Sequence, residues 1–164
     1  MKVHDLINTF SRSTEDQHKA IFGTLFIAGN KLQTLFDNNI PWVSLKQFML
    51  LSVVYESKQM LTFTELGNLL GCSRQNIRQL ADVLVKKGFV TLEQSPHDAR
   101  AMCICPTKKV KDFYEHDFVE YEEQLKYLFE VYTDEEIETL FILMAKLYVG
   151  IEKLEEKVTH EKNL

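Results

Sequence analysis

The sequence predicts a mainly α chain interrupted once by a small β-hairpin, and three observations predict it. Apolar residues recur at helical period over both long flanks. Between them, two short helical stretches are joined by the tight turn Leu70-Gly71-Cys72-Ser73. Directly after Gly88 the period changes to that of strands, and a turn, Ser95-Pro96-His97-Asp98, separates two of them.

In chain order, Val3, Leu6, Ile7 and Phe10 have helical spacing, but the segment is short and reads as a weak helix or an arm. Ser13 or Thr14 can cap the next helix, with Glu15 and Asp16 in its first turn. Ile21, Phe22, Leu25, Phe26, Leu32, Leu35 and Phe36 give it an apolar stripe to about Asp37, and Asn38-Asn39-Ile40-Pro41 ends it. A second helix is expected from Ser44 to Ser57. Thr62 with Glu65 forms a capping box that opens a short helix ending at Gly71. Ser73 caps the following helix, which runs to about Lys87 before Gly88. Phe89–Leu92 and Ala101–Cys105 are the strands. One helix is then expected from Thr107 to Glu130, and a capping box at Thr133–Glu136 opens the last.

A hairpin following two helices in a tight turn is a winged helix-turn-helix. The expected division is 1–40 for N-terminal dimerisation helices, 41–106 for the winged helix-turn-helix and 107–164 for C-terminal dimerisation helices. The aromatic-rich flanking stripes, Phe22, Phe26, Phe36, Phe113, Phe118, Tyr121, Phe141 and Tyr148, are more than one small domain can cover. The last helix has a near-heptad pattern, which suits packing between subunits of a homodimer.

In the second short helix, Ile77, Leu80, Ala81 and Leu84 fall on one face. The opposite face presents Arg74, Gln75, Asn76, Arg78 and Gln79, with no acidic residue before Asp82. Arg pairs bidentately with guanine, and Asn and Gln with adenine, so this face has the chemistry of base-edge reading. Ser73 adds a hydroxyl at the positive helix end, where a phosphate can bind. The chain as a whole is acidic, net charge -5. From Gly71 to Lys111, however, eight Lys and Arg residues face three acidic ones, a local +5 in a remainder of -10. Screening makes the local field the relevant one at a contact surface.

Several segments resemble the MarR family of bacterial transcriptional regulators. Leu61-Thr-x-x-Glu65-Leu66-Gly67-x-x-Leu70-Gly71-x-Ser73-Arg74-x-x-Ile77 is similar to that family's helix-turn-helix, and Leu84-x-Lys86-Lys87-Gly88-Phe89-Val90 to its helix end and first wing strand. Pro96-x-Asp98-x-Arg100 matches the Asp-x-Arg motif of its wing. Leu92 stands where the family often has Arg, and Pro106-Thr107-Lys108-Lys109-Val110 replaces its Leu-Thr-x-x-Gly. The resemblance implies a homodimer on double-stranded DNA, with a pseudo-palindromic operator. It implies that Arg100 or a wing neighbour reaches the minor groove while Asp98 braces the hairpin through an ion pair. It further implies a ligand-responsive repressor, released by a small aromatic or acidic effector, for which no binding residue is assigned. The expected DNA-binding residues are Thr62, Ser73, Arg74, Gln75, Asn76, Arg78, Gln79, Asp98 and Arg100.

Other chemistries find little support. Cys103-x-Cys105 with His97 lacks the further ligands of a metal site. Cys72, in the turn, reads as core. The five histidines pair with no nucleophile at a recognisable motif, so no catalytic residue and no cofactor are expected. No run of about 18 apolar residues suggests a membrane span, and Met1-Lys2-Val3-His4-Asp5 is unlike a signal peptide, which points to the cytoplasm. The alternative is a winged-helix interaction module without DNA binding. The acidic total and Leu92 fit it, and the Arg-Gln-Asn-Arg face argues against it.

Overall fold

The protein is described here by a computed structural model, which places residues 3–10 and 12–162. Met1, Lys2, Ser11, Asn163 and Leu164 lie outside the described residues, and with them the outermost positions of the 1–40 and 107–164 segments. The elements in order are α1 (Val3–Phe10), α2 (Thr14–Asn39), α3 (Leu45–Glu56), β1 (Leu61–Thr62), α4 (Phe63–Leu70), α5 (Arg74–Lys86), β2 (Val90–Gln94) and β3 (Met102–Pro106). α6 (Lys108–Asp112), a π-helical turn (Phe113–Asp117), α7 (Val119–Phe129) and α8 (Asp134–Lys162) follow. The chain divides into two compact units, residues 1–114 and 115–164.

The first unit is built around a helix layer and a small sheet. The Ser13 hydroxyl accepts from the Asp16 amide at 3.1 Å and starts α2, which extends to Asn39, two residues past the expected end. Ser44 and Gln47 make a capping box at α3 that the sequence reading did not anticipate. From α3, Leu50, Leu51 and Val54 are buried; from α4, Phe63 and Leu66; from α5, Ile77, Ala81 and Leu84, at i, i+4 and i+7 on one face. Leu80, expected on that face, is half-buried.

The hairpin is part of a three-stranded antiparallel sheet of order β1-β3-β2. Val90 pairs with Pro106 and Gln94 with Met102, while Leu61 pairs with Ile104 on the other edge of β3. The two-residue strand β1 was not expected. It forms because the helix-turn-helix begins beside the middle strand, whose Cys103 and Ile104 are both buried, as suits a strand covered on both faces.

The single helix expected from Thr107 to Glu130 is a correction. The chain makes α6, then a π-helical turn, then α7, which begins after Phe118 without a side-chain cap. Phe113 and Phe118 are both buried and five residues apart. That spacing suits an i→i+5 turn, not the 3.6-residue repeat.

The second unit comprises α7 and α8. The Thr133–Glu136 box opens α8 as expected: the Thr133 amide donates to Glu136 Oε2 at 2.9 Å and the Glu136 amide to Thr133 Oγ1 at 3.2 Å. Among the described residues, Phe118 is the one buried hydrophobic of this unit.

Candidate nucleic-acid interface

The interface is built on backbone geometry fixed at four points. At the first, the Thr62 amide and hydroxyl both donate to Glu65 Oε2 at 2.7 Å, and the Glu65 amide donates back to Thr62 Oγ1 at 3.3 Å. These bonds, led by the Thr62 amide, hold the Glu65 carboxyl below the ordinary carboxylate range, with a small contribution from His97. At the second, Gly67 packs under the turn. A Cβ there would lie 2.6 Å from the carbonyl oxygen of Cys72, so α4 approaches the turn at a distance that only glycine allows. At the third, Gly71 ends α4 in the left-handed region (φ 63°, ψ 34°), as its position at the helix stop leads one to expect. At the fourth, Ser73 Oγ accepts from the Asn76 amide at 3.2 Å and starts α5.

α5 therefore leaves the turn with its apolar face inward and its polar face outward. Arg74, Gln75, Arg78 and Gln79 are exposed, whereas Asn76 is half-buried, the least exposed residue of the five. Arg78 Nε lies 4.0 Å from Asp82 Oδ2, a loose i,i+4 pair with both side chains in solvent. Such a pair leaves the guanidinium available to a stronger partner.

The wing turn is held by its own backbone. The Ser95 amide donates to Ala101 O and the Ala101 amide to Asp98 O, each at 2.9 Å. Asp98 does brace the turn, but not by an ion pair. Its Oδ1 accepts from the backbone amide of Arg100 at 2.9 Å, and no ion pair joins the two among the described residues. The physical reason is local: an Asp side chain reaches the amide two residues on in an Asx turn, which leaves the Arg100 side chain exposed.

Between the start of α4, the start of α5 and the wing lies a cleft of about 790 Å³. It gathers Thr62, Arg74, Asp98 and Arg100 from the expected set. Ser73, Gln75, Asn76, Arg78 and Gln79 do not line it; they follow the same helix. The cleft also includes Gln59, Thr64 and His97, which the sequence reading missed as site residues. No motif marks them, and only the sheet pairing that brings the wing beside α4 reveals them.

Cys72 is half-buried where a core position was expected, and Cys103 is buried with its thiol 3.7 Å from Met60 O. Burial and the neighbouring Glu93 carboxylate push the Cys105 thiol above its ordinary pKa. Among the described residues no group of three or more His, Cys, Asp or Glu is placed to hold a metal ion, and no helix is long and apolar enough to cross a membrane.

A capped reading-type helix, a tight glycine turn and a hairpin wing define a winged helix-turn-helix domain. Residues 43–101 of this domain match the model of the MarR family. An HTH-type transcriptional regulator of Bacillus subtilis (strain 168), YcgE, is 34% identical over 86 residues, 52% of this chain; the match spans 56% of that relative's length. Among solved structures, a MarR protein from Peptoclostridium difficile DA00132 superposes with a TM-score of 0.70 at 24% identity, covering 90% of this chain and 95% of its own. MepR of S. aureus, solved as a complex with DNA, gives 0.68 at 18% identity over 79% and 97%. At these identities the structural likeness establishes the fold.

Proposed function

We propose that the protein is a sequence-specific DNA-binding transcriptional regulator that acts as a homodimer. The observation that carries this reading is the exposed Arg74, Gln75, Arg78 and Gln79 face of a Ser73-capped helix beside the wing cleft. These side chains enter a major groove from the first two turns of α5, as reading helices do. Thr62 and Ser73, at helix starts, and Arg100, on the wing, meet the phosphates and the adjoining minor groove. Asn76 joins the base contacts, and Asp98 shapes the wing. The division of labour is 41–106 for DNA and 1–40 with 107–164 for the second copy.

The unpartnered apolar surfaces support the dimer. Phe22 and Phe26 on α2 and Phe141, Tyr148 and Leu154 on α8 are each 60% exposed or more in the single chain, and a two-fold partner covers such helices. One reading helix per subunit then demands a pseudo-palindromic operator, with half-site centres about one helical turn apart. Relatives named as MarR-family regulators support the further reading of a cytoplasmic, ligand-responsive repressor. Its effector is of the small aromatic or acidic class, which must bind a DNA-incompetent state more tightly to have any effect.

The test is fluorescence anisotropy of the purified protein on its own promoter region at two salt concentrations, with Arg74→Ala and Arg78→Ala beside it. Binding that weakens steeply with salt and is lost in both variants is expected. Absence of binding there, and in a selection from random duplexes, would leave the interaction module as the function.

A further inference from the structure

The eight basic residues between Gly71 and Lys111 form one positive block in the sequence, but their side chains do not all turn the same way. Lys87 is the C-cap of α5. Its Nζ donates to the carbonyl oxygen of Trp42 at 2.8 Å and to Gln47 Oε1 at 3.2 Å. Gln47 is the residue whose Oε1 accepts from the Ser44 amide at 3.3 Å in the capping box of α3. Lys109, on α6, donates from Nζ to the carbonyl oxygen of Lys87 at 2.8 Å and sits 4.6 Å from the centre of the Phe89 ring. The end of α5 is thus tied by one lysine to the start of α3 and by another to α6. The Lys109 ammonium, on the Lys87 carbonyl, occupies the end of α5 where the helix dipole is negative.

We infer that Lys87 and Lys109 are positioning residues for DNA reading, not phosphate contacts: they fix the far end of α5 so that Arg74 and Arg78 meet base edges at one angle. The inference rests on the DNA-reading function proposed above. α5 has 13 residues and is about 20 Å long, so a tilt at its C-terminal end displaces the reading side chains at its start. Bidentate base contacts fail on a small misalignment, whereas attraction to the phosphate backbone is tolerant of it. Lys87 commits two of its three N–H donors within the protein, and Lys109 commits one together with its ring contact. Arg74, Arg78 and Arg100 are exposed beside the wing cleft or on the reading face of α5.

The experiment compares the full chain with Lys87→Met, Lys109→Met and the double variant, with Arg78→Gln as the reference for a DNA contact. The probes are a duplex that the parent protein selects from a random-sequence pool and the same duplex scrambled, each titrated over a range of salt. The single variants Lys87→Gln and Lys109→Gln stand in if a Met variant does not fold. The expected result is a loss of about tenfold or more on the selected duplex, the scale of one lost base contact. Affinity for the scrambled duplex and the slope of log K against log salt stay at the parental values, and Lys87→Arg recovers part of the loss. An equal loss on both duplexes, with the slope reduced by about 0.9 for each phosphate contact removed, would make these lysines phosphate contacts and overturn the inference. Unchanged affinity on both duplexes overturns it as well. If the parent protein binds no duplex at all, the DNA-reading function itself fails, and this inference with it.

Discussion

In residues 1–114 the apolar side chains of several helices and three strands meet one another; in residues 115–164 most of them meet solvent. The first unit buries Phe36, Leu50, Leu66, Ile77, Leu84, Phe89, Ile104 and Phe113 almost completely. The second leaves Tyr127, Phe141, Tyr148 and Leu154 between 61% and 72% exposed. Charge divides the same way. Residues 1–114 hold fourteen Lys and Arg against ten Asp and Glu, and residues 115–164 hold five against fourteen. Burying each large apolar side chain contributes about 1.5–3 kcal/mol, so a helix that leaves many in water is stable only when something covers them. The lesson is that helical periodicity identifies a helix and its apolar face but is silent about whether that face is covered from within the chain or by another.

The largest effect should come from attacking the exposed face. Phe141→Glu combined with Tyr148→Glu is expected to turn a sedimenting dimer into a monomer, with a loss of at least about 4 kcal/mol of association, and to lower the helical signal of α8. The parent's Tm should rise with protein concentration. A parent that sediments as a monomer with full helicity would erase the contrast between the units.

A smaller effect, confined to the first unit, is expected at Gly67. Gly67→Ala forces a Cβ to within 2.6 Å of the Cys72 carbonyl oxygen, a backbone atom that cannot swing aside. Overpacking of this kind costs about 1–3 kcal/mol, on the order of 5 °C in Tm. Sedimentation should be unchanged. A scan that shows no shift would mean that the turn yields, and that the close approach of α4 is not a constraint.

The smallest effect is a pH dependence at the start of α4. The carboxyl of Glu65 is lowered by the Thr62 bonds, so its contribution is fully present above its unfolded pKa and is lost as pH falls through the folded value. Glu65→Gln keeps a hydrogen-bond acceptor but no charge. The Tm difference between parent and variant is expected to be largest near neutral pH and to vanish in acid. A difference that persists unchanged into acid would assign the effect to packing.

What was legible in the sequence was mostly local. The Thr62–Glu65 and Thr133–Glu136 boxes, the Ser73 cap and the Gly71 and Gly88 stops each depend on residues a few positions apart, and each appears where expected. The exposed face of α5 followed from the same periodicity. What escaped was set by distant partners. β1 exists only because Leu61 meets Ile104. His97 enters the cleft only because β3 carries the wing beside α4. The long Lys87 and Lys109 side chains have no preferred direction until carbonyl oxygens elsewhere in the fold receive them. The π-helical turn after α6 escaped for another reason: its aromatic residues fit a helical stripe well enough to hide the extra residue.

The pairing of Leu61 with Ile104 also sets a timetable. During synthesis α4 and α5, with their caps already encoded, leave the ribosome before the strand that closes their sheet has been made. Helix starts can form within microseconds from neighbouring residues, but the sheet must wait for a partner some 43 positions later and then close that loop. A nascent chain halted before β3 would carry the whole α5 face on an open framework. Completion of the wing closes the sheet, and Val110 and Phe113, which leave the ribosome after it, complete the core.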